Sequence, residues 1–152
     1  MSVPLLRQLY DRAHVGDWDG VEAVLSDDLV IHEAASLPFG GEYRGRTALR
    51  DLFATVMAYW ENPSVEIFSI IGDDTYVVAL MNFTMTSKHT GNTFTQKMAE
   101  VSTVKNGLVT EMRIHYYDTS QVAAEAGPTL QGSVAKPVVP PSPPPQRQQS
   151  RP

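Results

Sequence analysis

The chain has 152 residues, a net charge of −5 and no cysteine, which bounds it to one domain and excludes disulfide frameworks, thiolate metal sites and a cysteine nucleophile. Lys and Arg are scattered, so no basic face for nucleic acid is expected. No stretch approaches the roughly 20 apolar residues that span a bilayer, and Met1-Ser2-Val3-Pro4-Leu5-Leu6-Arg7 lacks the apolar run of a signal peptide; the expected setting is cytoplasmic, with no membrane partner.

Leu5, Leu6, Leu9, Tyr10 and Ala13 recur at helical spacing and predict a first helix over about 4–15. Gly16 ends it in the position favoured for a left-handed cap. Asp17 can cap a second, short helix carrying Val21, Val24 and Leu25. Ser26-Asp27-Asp28 then leads into an apolar strand over 29–33 that ends on Glu33. After the glycine-rich excursion Pro38-Phe39-Gly40-Gly41-Glu42-Tyr43-Arg44-Gly45, a helix capped by Thr47 folds back with Leu49, Leu52, Phe53, Val56, Met57 and Trp60 along one stripe. Asn62-Pro63 is expected to stop it. Apolar walls around Glu33 would raise its pKa above the ordinary value of roughly 4.3, as a general base working near neutrality needs. The competing reading makes Glu33 a strand-end residue capping backbone amides of the glycine-rich turn.

From Val65 onward the period changes to two. Strands are predicted over 65–71, 75–87, 93–104 and 108–118, with turns at Gly72-Asp73-Asp74, Gly91-Asn92 and Asn106-Gly107. Helices first and a meander of strands afterwards indicate an α+β domain over residues 1–126. In it three N-terminal helices pack on one face of a curved antiparallel sheet. Residues 127–152 have seven prolines among the last sixteen and no aromatic residue, and read as a disordered Pro-rich tail. The run Pro140-Pro141-Ser142-Pro143-Pro144-Pro145 suits docking on an aromatic-lined groove of a partner, against the blander reading of a passive tail.

With Asn106 and Gly107 as central turn residues, a regular hairpin pairs Glu100 with Arg113, Ala99 with Ile114 and Met98 with His115. Ala99, Val101, Met112, Ile114 and Tyr116 then face the helices, and Lys97 shares that face at its rim. Glu100, Ser102, Glu111, Arg113, His115 and Tyr117 face outward. Glu100 and Arg113 become an outer cross-strand ion pair, and only a β-bulge would turn His115 into the cavity. With Met98, Val104 and Tyr117, the outer face suits a homodimer interface.

These features together resemble the nuclear-transport-factor-2-like superfamily, in its SnoaL-like and ketosteroid-isomerase-like branch. The resemblance covers roughly residues 3–120 and rests on Val15-Gly16-Asp17-Trp18-Asp19, Leu25-Ser26-Asp27-Asp28 and Gly40-Gly41-Glu42-Tyr43-Arg44-Gly45. Val104-Lys105-Asn106-Gly107-Leu108-Val109 and Tyr116-Tyr117-Asp118 complete it. It implies a cystatin-like cone around a mostly apolar pocket and frequent dimerisation. It also implies that Glu33 stands where ketosteroid isomerases carry their proton-shuttling aspartate. The positions matching those isomerases' two oxyanion donors hold Leu9 and Ala99, with Tyr10 one residue away. Where SnoaL-like cyclases carry a late acidic residue, Ile114 or, with a bulge, His115 stands.

The expected function is cofactor-independent acid–base chemistry on a small hydrophobic carbonyl compound: isomerisation, polyketide-type cyclisation or dehydration. Glu33 and His115 are the catalytic candidates. Tyr43, Tyr116, Asn82 or His115 would polarise the carbonyl oxygen, Tyr10 is a further substrate-binding candidate, and Phe53, Met57, Trp60, Met112 and Ile114 would wall the pocket. The four histidines show no metal-ligand spacing, so neither a metal nor another cofactor is expected. The alternatives are a non-catalytic small-molecule-binding or dimeric scaffold protein of the same fold, and an adaptor acting through the proline tail.

Overall fold

The computed structural model describes residues 1–130, in which the helical periodicity becomes α1 (Val3–His14), α2 (Trp18–Glu22) and α3 (Ala48–Met57). The alternating segments become β1 (Leu25–Glu33), β2 (Gly41–Arg44), β3 (Trp60–Gly72), β4 (Tyr76–Ser87), β5 (Thr93–Lys105) and β6 (Leu108–Tyr116), followed by α4 (Thr119–Ala126). The expected Pro-rich tail lies, from residue 131 on, outside the described residues. Its first residues rest on the domain, where the Leu130 amide donates to the Tyr59 hydroxyl at 3.0 Å.

The strands form one open, curved six-stranded sheet in the order β2-β1-β6-β5-β4-β3. It is mixed, not purely antiparallel: β1 runs parallel to β6, with Ile31 opposite Met112 and His32 opposite Arg113. Those two strands are distant in sequence, so no hairpin constrains their direction. Inward-facing residues of every strand meet α1 and α3 in one core centred on Leu6, Leu9, Leu29, Ile31, Phe39 and Met112. Each such side chain contributes about 1.5–3 kcal/mol by leaving water.

Local signals explain the helix ends. Gly16 adopts φ +75° after α1, and the Asp17 carboxylate accepts from the Gly20 amide at 3.0 Å to open α2. Thr47 caps no backbone amide of α3; its hydroxyl donates to Asp51 at 3.0 Å. The helix ends at Met57, before Asn62-Pro63, and Trp60 opens β3 instead of extending the helical stripe. Asn62 takes φ +49° and the pairing skips from Glu61 to Ser64, so the edge strand absorbs the proline as a bulge. Two elements escaped the sequence reading: β2, four residues long, and α4, which Asp118 caps by accepting from the Gln121 amide at 3.1 Å.

Asn106 and Gly107 form the expected turn, both at positive φ, and Lys105–Leu108 and Val104–Val109 pair as expected. Thr103 then pairs with Glu111, leaving Thr110 as an extra residue whose hydroxyl donates to the Thr103 carbonyl at 3.3 Å. Beyond this bulge every β5 residue sits opposite a β6 residue one place further on. The expected inward set of β6 stands, but that of β5 is reversed: Met98, Glu100 and Ser102 face the core side, while Lys97, Ala99 and Val101 face out. Glu100 therefore forms no outer pair with Arg113, whose Nε donates to Glu111 at 2.7 Å. Met98 and Val104 are buried and leave the outer face; Tyr117, 87% exposed, remains on the surface.

The loop after β1 is held by consecutive turns, Leu37 N–H to Ala34 O at 3.1 Å and Gly40 N–H to Leu37 O at 2.9 Å. A Cβ at Gly40 would press into the Ala34 carbonyl, a backbone atom that cannot move aside. Gly40→Ala is expected to destabilise the fold by at least about 2 kcal/mol, read as a fall of the order of 8 °C in Tm by thermal circular dichroism.

Candidate functional site

Strand β1 ends on Glu33, whose side chain follows Leu29 and Ile31 to the inward face and is only 5% exposed. One carboxylate oxygen accepts from the Ala34 amide at 3.1 Å, the other from the Tyr116 hydroxyl at 3.4 Å. Burial pushes its pKa up to about 8; the nearby Glu100 adds to the rise, while the Ala34 amide and Tyr116 oppose it. The capping reading of Glu33 and the functional one are thus both visible in the geometry: one oxygen caps the turn, and the carboxyl still opens onto a cavity.

That cavity has a volume of about 750 Å³ and lies between α1, α3 and the concave face of the sheet. Tyr10 on α1 and Glu100 on β5 meet across it, the phenol donating to the Glu100 carboxyl at 2.9 Å. Burial holds the Glu100 carboxyl above the ordinary carboxylate range, against the lowering effect of Tyr10. Burial likewise lifts Tyr10 well above the ordinary phenol value, with Glu100 adding to it, and lifts Tyr116 in the same way with Glu33 adding. Two buried carboxyls and two phenols therefore share a mostly apolar chamber, with the exposed Asp11 and His14 also on its lining and, among the described residues, no Lys or Arg side chain there.

Of the residues expected at the site, Glu33, Tyr10, Phe53, Met57, Ile114 and Tyr116 line the cavity. Tyr43 does not: it is buried behind Glu33, its hydroxyl donating to the Phe39 carbonyl at 2.6 Å, and burial pushes its pKa up to about 12. Trp60 packs with Phe39, Tyr59 and Phe94 in an aromatic cluster away from the cavity, and Met112 is wholly enclosed in the core. Asn82 lies on the outer face, because β4 turns Met81 and Phe83 inward on either side of it. His115 is exposed and borders a second depression of about 240 Å³ with His32, Arg113 and Thr119, which Glu33, Ile114 and Tyr116 also line, so it shares this depression, and not the larger cavity, with Glu33. The bulge leaves His115 on the outer face, opposite Ala99, and places Ile114 on the inner face, opposite Glu100. His32 points away from Glu33, as strand alternation requires, toward Glu42 and Glu111.

Glu100 is the residue that sequence reasoning misplaced. Its one signal was the missing donor at Ala99, the adjacent position. Among the described residues no group of three or more His, Asp or Glu side chains converges as a metal site.

A family model described as a SnoaL-like domain matches residues 6–112. Among solved structures, an NTF2-like protein from Burkholderia thailandensis is 20% identical, covers 83% of this chain and 97% of its own, and superimposes with a TM-score of 0.74. TerC, co-crystallised with polyporic acid, is 18% identical over 82% of this chain and 97% of its own, with a TM-score of 0.70. A putative SnoaL-like polyketide cyclase from Jannaschia sp. CCS1 is 15% identical over 84% and 92%, with a TM-score of 0.68. No curated protein sequence matches significantly.

A carboxyl whose pKa is raised on folding binds its proton more tightly in the folded chain than in the unfolded one. Its ionisation therefore costs stability as pH rises from the unfolded value, near 4.5, through about 8. Urea denaturation at pH 5 and pH 9 is expected to show wild type losing up to about 4 kcal/mol more than Glu33→Gln across that window. An equal loss in the two proteins would mean that Glu33 titrates normally.

Proposed function

The chain belongs to the SnoaL-like domain family, in the NTF2-like superfamily, and from that premise we propose that it is a cofactor-independent acid–base enzyme acting on a hydrophobic carbonyl compound. The observation that carries this reading is the division of four groups within one apolar cavity: Glu33 with Tyr116 on one side, Glu100 with Tyr10 on the other. Glu33 ionised is the base. With a pKa of about 8 it is roughly one-tenth ionised at pH 7 and strongly basic when it is.

Ionising both carboxyls in one low-dielectric chamber is unfavourable, so Glu100 keeps its proton while Glu33 works. A protonated Glu100 and the Tyr10 phenol are both hydrogen-bond donors, and they converge on one point of the cavity. The two aligned donor positions, Leu9 and Ala99, face elsewhere, and each function moves to the next residue in the chain. A substrate whose carbonyl oxygen sits between Tyr10 and Glu100 presents its α-carbon to Glu33. The C–H bond breaks, its proton goes to a Glu33 oxygen, and the electron pair moves through the new C=C to the oxygen, where the two donors hold it. Return of the proton to another carbon gives isomerisation. Attack of the enol carbon on a second carbonyl gives cyclisation.

Phe53, Val56, Met57, Met81, Phe83 and Ile114 supply the apolar wall, and the volume suits a drug-sized ligand of several rings. The description of the Jannaschia neighbour as a putative polyketide cyclase supports a polyketide-like carbonyl compound over other classes.

The test is α-proton exchange in deuterium oxide, followed by NMR, over a panel of steroid-like, terpenoid and polyketide-like ketones. Glu33→Gln is expected to lower the exchange rate at least about a hundredfold. Tyr10→Phe and Glu100→Leu are each expected to cost tenfold or more, on the scale of about 10²–10³ for an oxyanion donor. The rate should climb with pH through about 8 as Glu33 ionises. Ligand binding that survives Glu33→Gln, with no exchange in wild type, would instead identify a binding protein.

A further inference from the structure

Ser102 lies two residues beyond Glu100 on the same face of β5, is 1% exposed, and its hydroxyl has no hydrogen-bond partner among the described residues. A buried hydroxyl left unpaired is uncommon in folded proteins and calls for a cause. Its strand neighbours offer none: Val77 and Met112, directly opposite it on β4 and β6, are apolar and enclosed. The polar group within its reach is the Tyr10 phenol, on which the Ser102 hydroxyl acts in the sense opposite to burial and to Glu100, favouring the phenolate.

We propose that Ser102 is a positioning residue for Tyr10, donating its hydroxyl proton to the phenol oxygen when Tyr10 turns from Glu100 to a ligand oxygen. The inference rests on the donor role proposed for Tyr10 and Glu100. In the arrangement described, the Tyr10 proton goes to Glu100, and the Ser102 hydroxyl, though near the phenol, completes no hydrogen bond of its own. When a ligand oxygen accepts from both Tyr10 and Glu100, the phenol oxygen keeps its lone pairs free, and Ser102 is the donor that meets them. No proton changes owner. Donation to the phenol oxygen polarises its O–H bond, so Tyr10 becomes a stronger donor as negative charge grows on the ligand. The hydroxyl left unpaired while Tyr10 donates to Glu100 is then the one engaged when a ligand oxygen takes the Tyr10 proton.

The probes are 2-naphthol, whose oxygen stands in for that of an enol, and naphthalene, which has none. Fluorescence titration gives the affinity ratio of the two for wild type, Ser102→Ala, Ser102→Thr and Ser102→Val. The ratio is expected to fall about fivefold in Ser102→Ala and in Ser102→Val, and to stay within about twofold of wild type in Ser102→Thr, which keeps the hydroxyl. Naphthalene affinity should not move. In protein labelled with [13Cζ]tyrosine, the Tyr10 resonance, identified by its absence in Tyr10→Phe, should shift less on naphthol binding in Ser102→Ala. If Ser102→Ala does not fold, the Thr and Val pair, equal in shape, decides the point.

A wild-type preference for naphthol that persists in the variants without the hydroxyl overturns the role of Ser102 alone. So does a loss of naphthalene affinity in parallel, which would mark a packing role. A wild type that binds both probes equally overturns the donor pair itself, and Ser102 with it.

Discussion

Between the Val104–Val109 and Thr103–Glu111 pairs, β6 carries one residue more than β5, and because side chains alternate with a period of two, the inward set of β6 changes parity there, from Val109 to Met112 and Ile114, while β5 alternates unbroken with Met98, Ser102 and Val104 all inward. Without the extra Thr110, Glu100 would share its face with Arg113, and Met112 and Ile114 would share theirs with Val101 and Ala99. With it, a carboxyl enters an apolar chamber at the level of Tyr10. The bulge costs the sheet one regular pairing, which the Thr110 hydroxyl offsets in part through its bond to Thr103. Bulges of this kind gather beside binding sites because they re-aim a side chain without remaking the fold.

The second constraint follows from the first. Two buried carboxyls now share a cavity wall that no Lys or Arg among the described residues lines, so each is held above its ordinary range by lost hydration, and Glu100 raises Glu33 further. Only hydrogen bonds from neutral groups compensate: the Ala34 amide and Tyr116 for Glu33, Tyr10 for Glu100. Such bonds are weaker than an ion pair and leave both groups reactive. A buried Arg in place of Tyr10 would hold the carboxyls as ionised acceptors, at the expense of any donor role.

Much of the helical half was legible in the sequence. Gly16 and Asp17 punctuate α1 and α2 by backbone chemistry that depends on no distant contact, and the Asn106-Gly107 turn is likewise local. Glu33 was legible because one residue's parity along a short strand decides its face. The β5 register was not, since a bulge leaves no composition signal: Thr110 is an ordinary strand residue, and the hairpin pattern reads equally well without it. The error then ran through Glu100, Ser102, Met98 and Ala99 together. Trp60 was misplaced for a related reason, because its spacing continues the α3 stripe while the chain has already left the helix at Met57. Asn62-Pro63 was taken as a helix stop when an edge strand absorbs it. Tyr43 and Met112 were given to the cavity on polarity and face alone, and the thickness of the core between them and the open space could not be read from the chain.

The base and the donors are anchored to different parts of the fold, and this bears on how the site works. Glu33 is fixed from behind by the Ala34 turn and from the side by Tyr116, all within the β1 and β6 region of the sheet. Glu100 belongs to β5, and its partner Tyr10 stands on α1, which meets the sheet chiefly at β3 and leans on α2. A small displacement of α1 would therefore shift the donor pair relative to the base without disturbing the base's own support. Catalysis by proton abstraction depends on both contacts being made at once on one ligand, to within a fraction of an ångström. In the mechanism proposed above, the packing of α1 would thus govern how well the enol oxygen is held once Glu33 has taken the proton.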